Sequence, residues 1–137
     1  HIEKHRHQAK HIIHETPALY HTVVKPYIYG EPQSRIQWVY NILDHKHESE
    51  RIIFEEPNKQ DGFVLLPDFK WDGKTIDSLY LVVIVHRHDL KSLRDLGSEH
   101  LGLLKSIRDK VTDAVTERYL GVGRDQLRFY IHYQPSY

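Results

Sequence analysis

Hydrophobic and polar positions organise the middle of the chain into three short runs. "RIIFEE" (51–56), "GFVLLPD" (62–68) and "LYLVVIV" (79–85) are rich in β-branched and aromatic residues and are separated by the turn-forming "PNKQDG" and "KWDGKTID", which predicts three strands. Connections this short favour antiparallel pairing, because parallel neighbours need a crossover of a dozen residues or more. Upstream, Ile36, Val39, Tyr40 and Leu43 recur at helical spacing and predict a short helix, with Trp38 off the apolar stripe and its indole partly open. Downstream, a helix capped by Ser98 runs to about Tyr119 with Leu104, Ile107, Val111, Val115 and Tyr119 as its apolar face, and "GVG" ends it. Alternation resumes in "QLRFYIHYQ" (126–134), which predicts a final strand. The fold class is α+β, an antiparallel sheet with one long helix packed on it.

The first third of the chain is patterned differently. "EKHRHQAKHIIHE" (3–15) contains good helix formers but few apolar residues, so it predicts an exposed or bridging helix that needs a partner for stability. Pro17 opens a second short helix, "ALYHTVV", which Pro26 is expected to close, and "YGEPQS" (29–34) is a connector. Residues 1–34 thus form a helical arm, and residues 35–137 form the globular body.

Composition narrows the chemistry. Cysteine is absent, which excludes disulfides and thiolate metal sites. No apolar run approaches the roughly 20 residues needed to span a bilayer, so no membrane role is expected. Lys plus Arg and Asp plus Glu balance at 19 each, so there is no basic field to hold long nucleic acid, although a small anionic ligand fits. The 12 histidines crowd toward the front, and His7 with His11 forms an i,i+4 pair that could share a metal. Without a third ligand at a diagnostic distance, a solvated helix face is the stronger reading.

Several residues have chemistry beyond packing. Trp38, with Glu48 and Glu50 downstream, offers an aromatic face and carboxylates to a flat cationic base. In "PDFKW", Asp68 and Lys70 are predicted on one strand face, opposite Phe69, where they could hold a ribose hydroxyl and a phosphate; a surface ion pair is the commoner use of such a couple. The cluster His86, Arg87 and His88 reads as a turn at a strand end. His132, polar within an apolar alternation, is equally consistent with a buried structural histidine and a functional one.

Four blocks in order, "IQWVYNILDHKHESERIIFEEP", "DGFVLLPDFKW", "HRHDLKSLRDL" and "LRFYIHYQPSY", resemble the scavenger mRNA decapping enzymes of the histidine triad superfamily over nearly all of residues 36–137. The resemblance implies a histidine-triad-like domain. In it Trp38 stacks on 7-methylguanine, Glu48 accepts hydrogen bonds from its edge, Asp68 holds the ribose and Lys70 the phosphates, and Pro67 and Tyr80 shape the pocket. His132, Ser136 and Tyr137 match a phosphate-binding strand. The same resemblance implies a nucleophilic histidine just beyond Tyr137, so that no catalytic residue is expected within residues 1–137 and the domain is expected to be incomplete at its C-terminus. These residues alone are then expected to bind cap nucleotides weakly without hydrolysing them.

The implied activity is hydrolysis of the cap of short capped RNA fragments through a nucleotidyl-histidine, without metal or cofactor. It is expected in a homodimer with a domain-swapped N-terminal region, in cytoplasm and nucleus. Two other readings share the fold: a non-catalytic cap-binding regulator and a general dinucleoside polyphosphate hydrolase.

Overall fold

The computed structural model describes residues 11–132, and the chain divides into two compact units, His1–Glu31 and Pro32–Tyr137. In the first unit, residues 11–16 have no regular secondary structure, and the rest of the helix expected over 3–15 lies outside the described residues. Thr16 then caps α1 (Pro17–Leu19), its hydroxyl accepting from the Leu19 N–H at 3.1 Å. A π-helical turn, Tyr20–Val24, leads directly into α2 (Lys25–Gly30). Pro26 therefore does not close the helix. The N–H of Lys25 reaches back five residues to the carbonyl of Tyr20, and after this widened turn Pro26 occupies a first-turn position where its missing N–H costs little.

The second unit is built on β1 (Phe54–Glu56), β2 (Phe63–Pro67) and β3 (Leu81–Val85), an antiparallel sheet with β2 in the centre. The first three predicted strands are present, each trimmed by one to three residues at its ends, and the α+β class holds. Alternation sorts β2 onto two faces. Phe63 and Leu65 pack with Val111 and Val115 of the long helix α4 (Leu101–Arg118), whereas Val64 and Leu66 pack with Ile42 and Leu43 of α3 (Gln37–Leu43) and with Ile84. Both faces of the sheet are covered, so the central strand is an unbroken apolar run.

Register carries this sorting to the polar residues at the sheet ends. Glu55 pairs with Val64 in register and lies on the α3 face, where it meets His45 Nε2 at 3.0 Å and His86 Nε2 at 3.1 Å. Glu56, opposite Phe63, lies on the other face and forms an ion pair with Lys110 of α4. A slip of one residue would exchange these partners and turn the core strand inside out.

Two predicted details are corrected. Ser98 does not cap the long helix: it opens a 3₁₀ turn, Ser98–His100, after which His100 is the N-cap, its Nδ1 accepting from the Gly97 N–H at 2.8 Å. Residues 127–132 are not a strand, since alternation specifies a face but not a partner strand to pair with. Residues 133–137 lie outside the described residues. The end of α4 is marked by Gly121 at φ 94°, the left-handed conformation that glycine adopts freely.

Candidate functional site

Trp38 comes first along the chain. One helical turn before Ile42, it is half-buried and packs against the cluster of Ile42, Leu43, Val64, Leu66 and Ile84. It is therefore part of the packed face of α3 rather than off its apolar stripe, which brings its indole to the same side of the sheet as Val64 and Leu66.

After α3 the chain reverses through two residues in the left-handed region, His45 at φ 56° and Glu48 at φ 58°. A 3₁₀ turn, Ser49–Arg51, then folds Arg51 back: its N–H donates to the carbonyl of Glu48 at 2.9 Å, and its Nη1 lies 3.1 Å from Glu48 Oε1. Arg51 Nη2 donates to the carbonyl oxygen of Pro67 at 3.1 Å. One guanidinium thus ties Glu48 to the last residue of β2. Arg51 was not singled out in the sequence because "RIIFEE" reads as a strand; the Glu-x-x-Arg spacing was the available signal.

Asp68 extends the ladder one step, its N–H donating to the carbonyl of Tyr80 at 3.0 Å. Asp68 is buried and Lys70 exposed. The pair does not share a strand face, because β2 ends at Pro67 and residues 69–70 form a turn in which the Lys70 N–H donates to Asp68 Oδ1 at 2.8 Å. The Lys70 ammonium lies 5.8 Å from the centroid of the exposed Phe69 ring, within cation–π range. Trp71 anchors the loop behind, its indole N–H donating to the carbonyl of Thr75 at 2.9 Å and its ring set edge-on to Tyr119 at 5.6 Å.

The segment after α4 returns to this corner. Tyr130 stacks on Tyr80 with ring centroids 6.4 Å apart and an interplanar angle of 15°, and the hydroxyl of Tyr130 donates to that of Tyr80. The His132 ring lies edge-on to Tyr130 at 5.4 Å. His132 is exposed, so it is not a buried structural histidine. Tyr80, Tyr130, His132, Asp68 and Lys70 thus form one cluster, and Tyr130 was not singled out because it reads as one step of a strand alternation. Ser136 and Tyr137 lie outside the described residues.

Electrostatics of the cluster are read at Tyr130. Its phenol is held above the ordinary value of 10.0, first by the hydrogen bond to Tyr80 and then by burial and the charges of Tyr80 and Asp68, with Lys70 acting in the opposite sense. Because the folded value is raised, the contact's contribution is complete below the ordinary value and is lost as pH rises through the folded one. An alkaline absorbance titration should therefore contain one late-ionising phenol that Tyr130→Phe removes. Identical difference curves for the two proteins would show that the hydroxyl contact does not form.

A cleft of about 550 Å³ lies elsewhere, lined by Ile53, Phe54, Lys110, Asp113, Ala114, Glu117 and Arg118, between β1 and α4. It contains none of the candidate residues. Its four charged side chains, Lys110, Asp113, Glu117 and Arg118, balance in sign along one helix, which suits a solvated face better than a ligand of fixed charge. Asp89, in the turn after β3, is lowered to about 2 by its hydrogen bonds to Arg87, an exposed ion pair that closes the turn rather than a reactive carboxylate. Among the described residues no cluster of histidine, aspartate and glutamate could hold a metal, and no helix is long and apolar enough to cross a membrane.

Comparison with known proteins gives a consistent result. Residues 37–137 match the family model described as "Scavenger mRNA decapping enzyme C-term binding". An m7GpppX diphosphatase of Caenorhabditis elegans is 48% identical over 136 residues, covering 99% of this chain and 43% of that protein. Proteins of the same name from Sus scrofa and Ascaris suum are each 50% identical over 137 residues, covering all of this chain and 40% and 45% of theirs. The chain spans less than half the length of these curated relatives.

Proposed function

This chain belongs to the scavenger mRNA decapping enzyme C-terminal binding family, and on that premise we propose that the protein is an m7GpppX diphosphatase, which hydrolyses the 7-methylguanosine cap of short capped RNA fragments. The observation that carries the reading is the link from Glu48 through Arg51 to the carbonyl of Pro67, next to Asp68. It joins a carboxylate suited to a base edge to a corner containing a buried aspartate, a lysine and two stacked tyrosines.

In this proposal the residues divide the cap among them. Trp38 stacks on the methylated base, whose delocalised positive charge is attracted to the indole face. Glu48 accepts from the N–H donors of the guanine edge. Asp68, held in place by the Lys70 N–H, accepts from the ribose hydroxyls, and Lys70 meets the phosphates. Pro67 and Tyr80 bound the pocket, with His132, Ser136 and Tyr137 on the phosphate side.

Hydrolysis then proceeds by nucleophilic catalysis. A histidine proposed to follow Tyr137 attacks the phosphorus next to 7-methylguanosine. A P–N bond forms, the P–O bond to the remaining nucleotide breaks, and the departing phosphate takes up a proton. Water cleaves the P–N bond and releases 7-methyl-GMP. A histidine-triad-like fold, a homodimer with an exchanged N-terminal region, and a cytoplasmic and nuclear location belong to the same proposal, supported by the family resemblance.

Incubating the intact protein with a capped dinucleotide tests the reading. We expect release of 7-methyl-GMP, with the methylated cap preferred over its unmethylated counterpart. Tight binding without release would assign the protein to the regulatory reading. Equal cleavage of both would make it a general dinucleoside polyphosphate hydrolase.

A further inference from the structure

We infer that Arg51 is a positioning residue for base recognition: it aims the Glu48 carboxylate by fastening it to the end of the central strand. The inference rests on the cap-binding reading above and adds to it a residue and a mechanism of specificity. Glu48 is in a left-handed backbone conformation, φ 58°, which a residue other than glycine adopts at a cost and keeps where surrounding contacts hold it. Its side chain lies on a bend between α3 and β1, and the contacts restraining that side chain come from Arg51: Nη1 at 3.1 Å to Oε1, and Nη2 at 3.1 Å to Pro67 O on the neighbouring strand.

The chemistry of the two groups fits the task. A guanidinium presents parallel donors in one rigid plane, so it can grip a carboxylate and a carbonyl at once in a fixed geometry; an ammonium, a single point on a flexible stem, does not hold the two in one plane. Each carboxylate oxygen has two acceptor positions, so Oε1 can keep Arg51 while both oxygens accept from N1–H and the 2-amino group of guanine. Pro67 O belongs to the residue just before Asp68. The fastening therefore also fixes the distance between the proposed base-edge acceptor and the proposed ribose acceptor, which is the dimension that distinguishes a guanosine nucleotide from a loosely held base.

The test compares 7-methyl-GMP with 7-methyl-IMP, which lacks the 2-amino group, in binding titrations of the intact protein. Wild type should prefer 7-methyl-GMP by about tenfold, the equivalent of one charge-assisted hydrogen bond. Arg51→Ala and Arg51→Lys should each cut that preference about threefold or more, and neither should change it further in a Glu48→Ala background. Arg51→Lys keeps the charge and guards against a simple failure to fold. Equal losses for both nucleotides would make Arg51 merely structural and overturn the inference while leaving the cap-binding reading in place. A preference that survives Glu48→Ala would remove the base-edge role itself, and the inference with it.

Discussion

Trp38→Ala is expected to weaken binding of 7-methyl-GMP by about 1–2 kcal/mol, roughly 5- to 30-fold, while GMP loses much less. The difference arises because methylation at N7 places a positive charge on a ring that is otherwise neutral, and an indole attracts that charge through its quadrupole in addition to offering stacking area. Trp38 is suited to this because α3 holds it against the cluster around Val64 and Leu66 while leaving the side chain half-buried. A tryptophan sunk fully in the core could not meet a ligand, and one free of the core would lose rotamer entropy on binding. Direct titration of both nucleotides, with the unfolding midpoint measured alongside, separates recognition from packing. Equal weakening for GMP and 7-methyl-GMP would assign Trp38 to packing alone.

What the sequence could disclose follows from which interactions are local. The three strands were legible because β2 is covered on both faces and reads as an apolar run, with turn-forming segments at both ends. The predicted α3 stripe is part of the packed face: Leu43 lies in the cluster with Val64, Leu66 and Ile84, and Val39 and Tyr40 pack against it. The stripe Ile36, Val39, Tyr40 and Leu43 omits Ile42, which is more deeply buried than Leu43, and with it the i,i+4 pair Trp38–Ile42. Apolar spacing alone could not show that residues of both stripes pack in one cluster, because seven residues offer two overlapping stripes.

The misread elements have a common physical cause. Pro26 was expected to end a helix because a regular turn needs its N–H, and only the π-helical widening at Tyr20–Val24 makes room for it. The last segment alternates like a strand, but a strand exists only with a partner, and residues 127–132 have no ladder among the described residues. Their tyrosine instead finds Tyr80, a contact 50 positions distant in sequence. Arg51 likewise acts across 16 positions to reach Pro67. Residue types at the candidate site were legible; the guanidinium and hydroxyl bridges between distant segments, which assemble it, were not.

The two faces of β2 give the sharpest separation of stability from recognition. Leu65→Ala and Leu66→Ala remove side chains that are 0% and 1% exposed, and each is expected to cost about 2–5 kcal/mol, a large share of the roughly 5–15 kcal/mol that stabilises a domain. Their consequences for binding should differ. Leu65 faces Val111 and Val115 of α4, so its loss opens a cavity on the side away from Trp38. Leu66 belongs to the cluster on which Trp38 packs and stands two residues before Asp68, which directly follows the strand. Relaxation into its cavity therefore moves the indole relative to the aspartate. Denaturant unfolding should give comparable losses for the two variants. Titration at a temperature where both remain folded should give near wild-type affinity for 7-methyl-GMP in Leu65→Ala and an affinity lower by about tenfold in Leu66→Ala, since misplacing a packed ring by even part of an ångström forfeits much of its contact. Equal loss of affinity in both would show that recognition depends on the whole sheet rather than on the face it shares with α3.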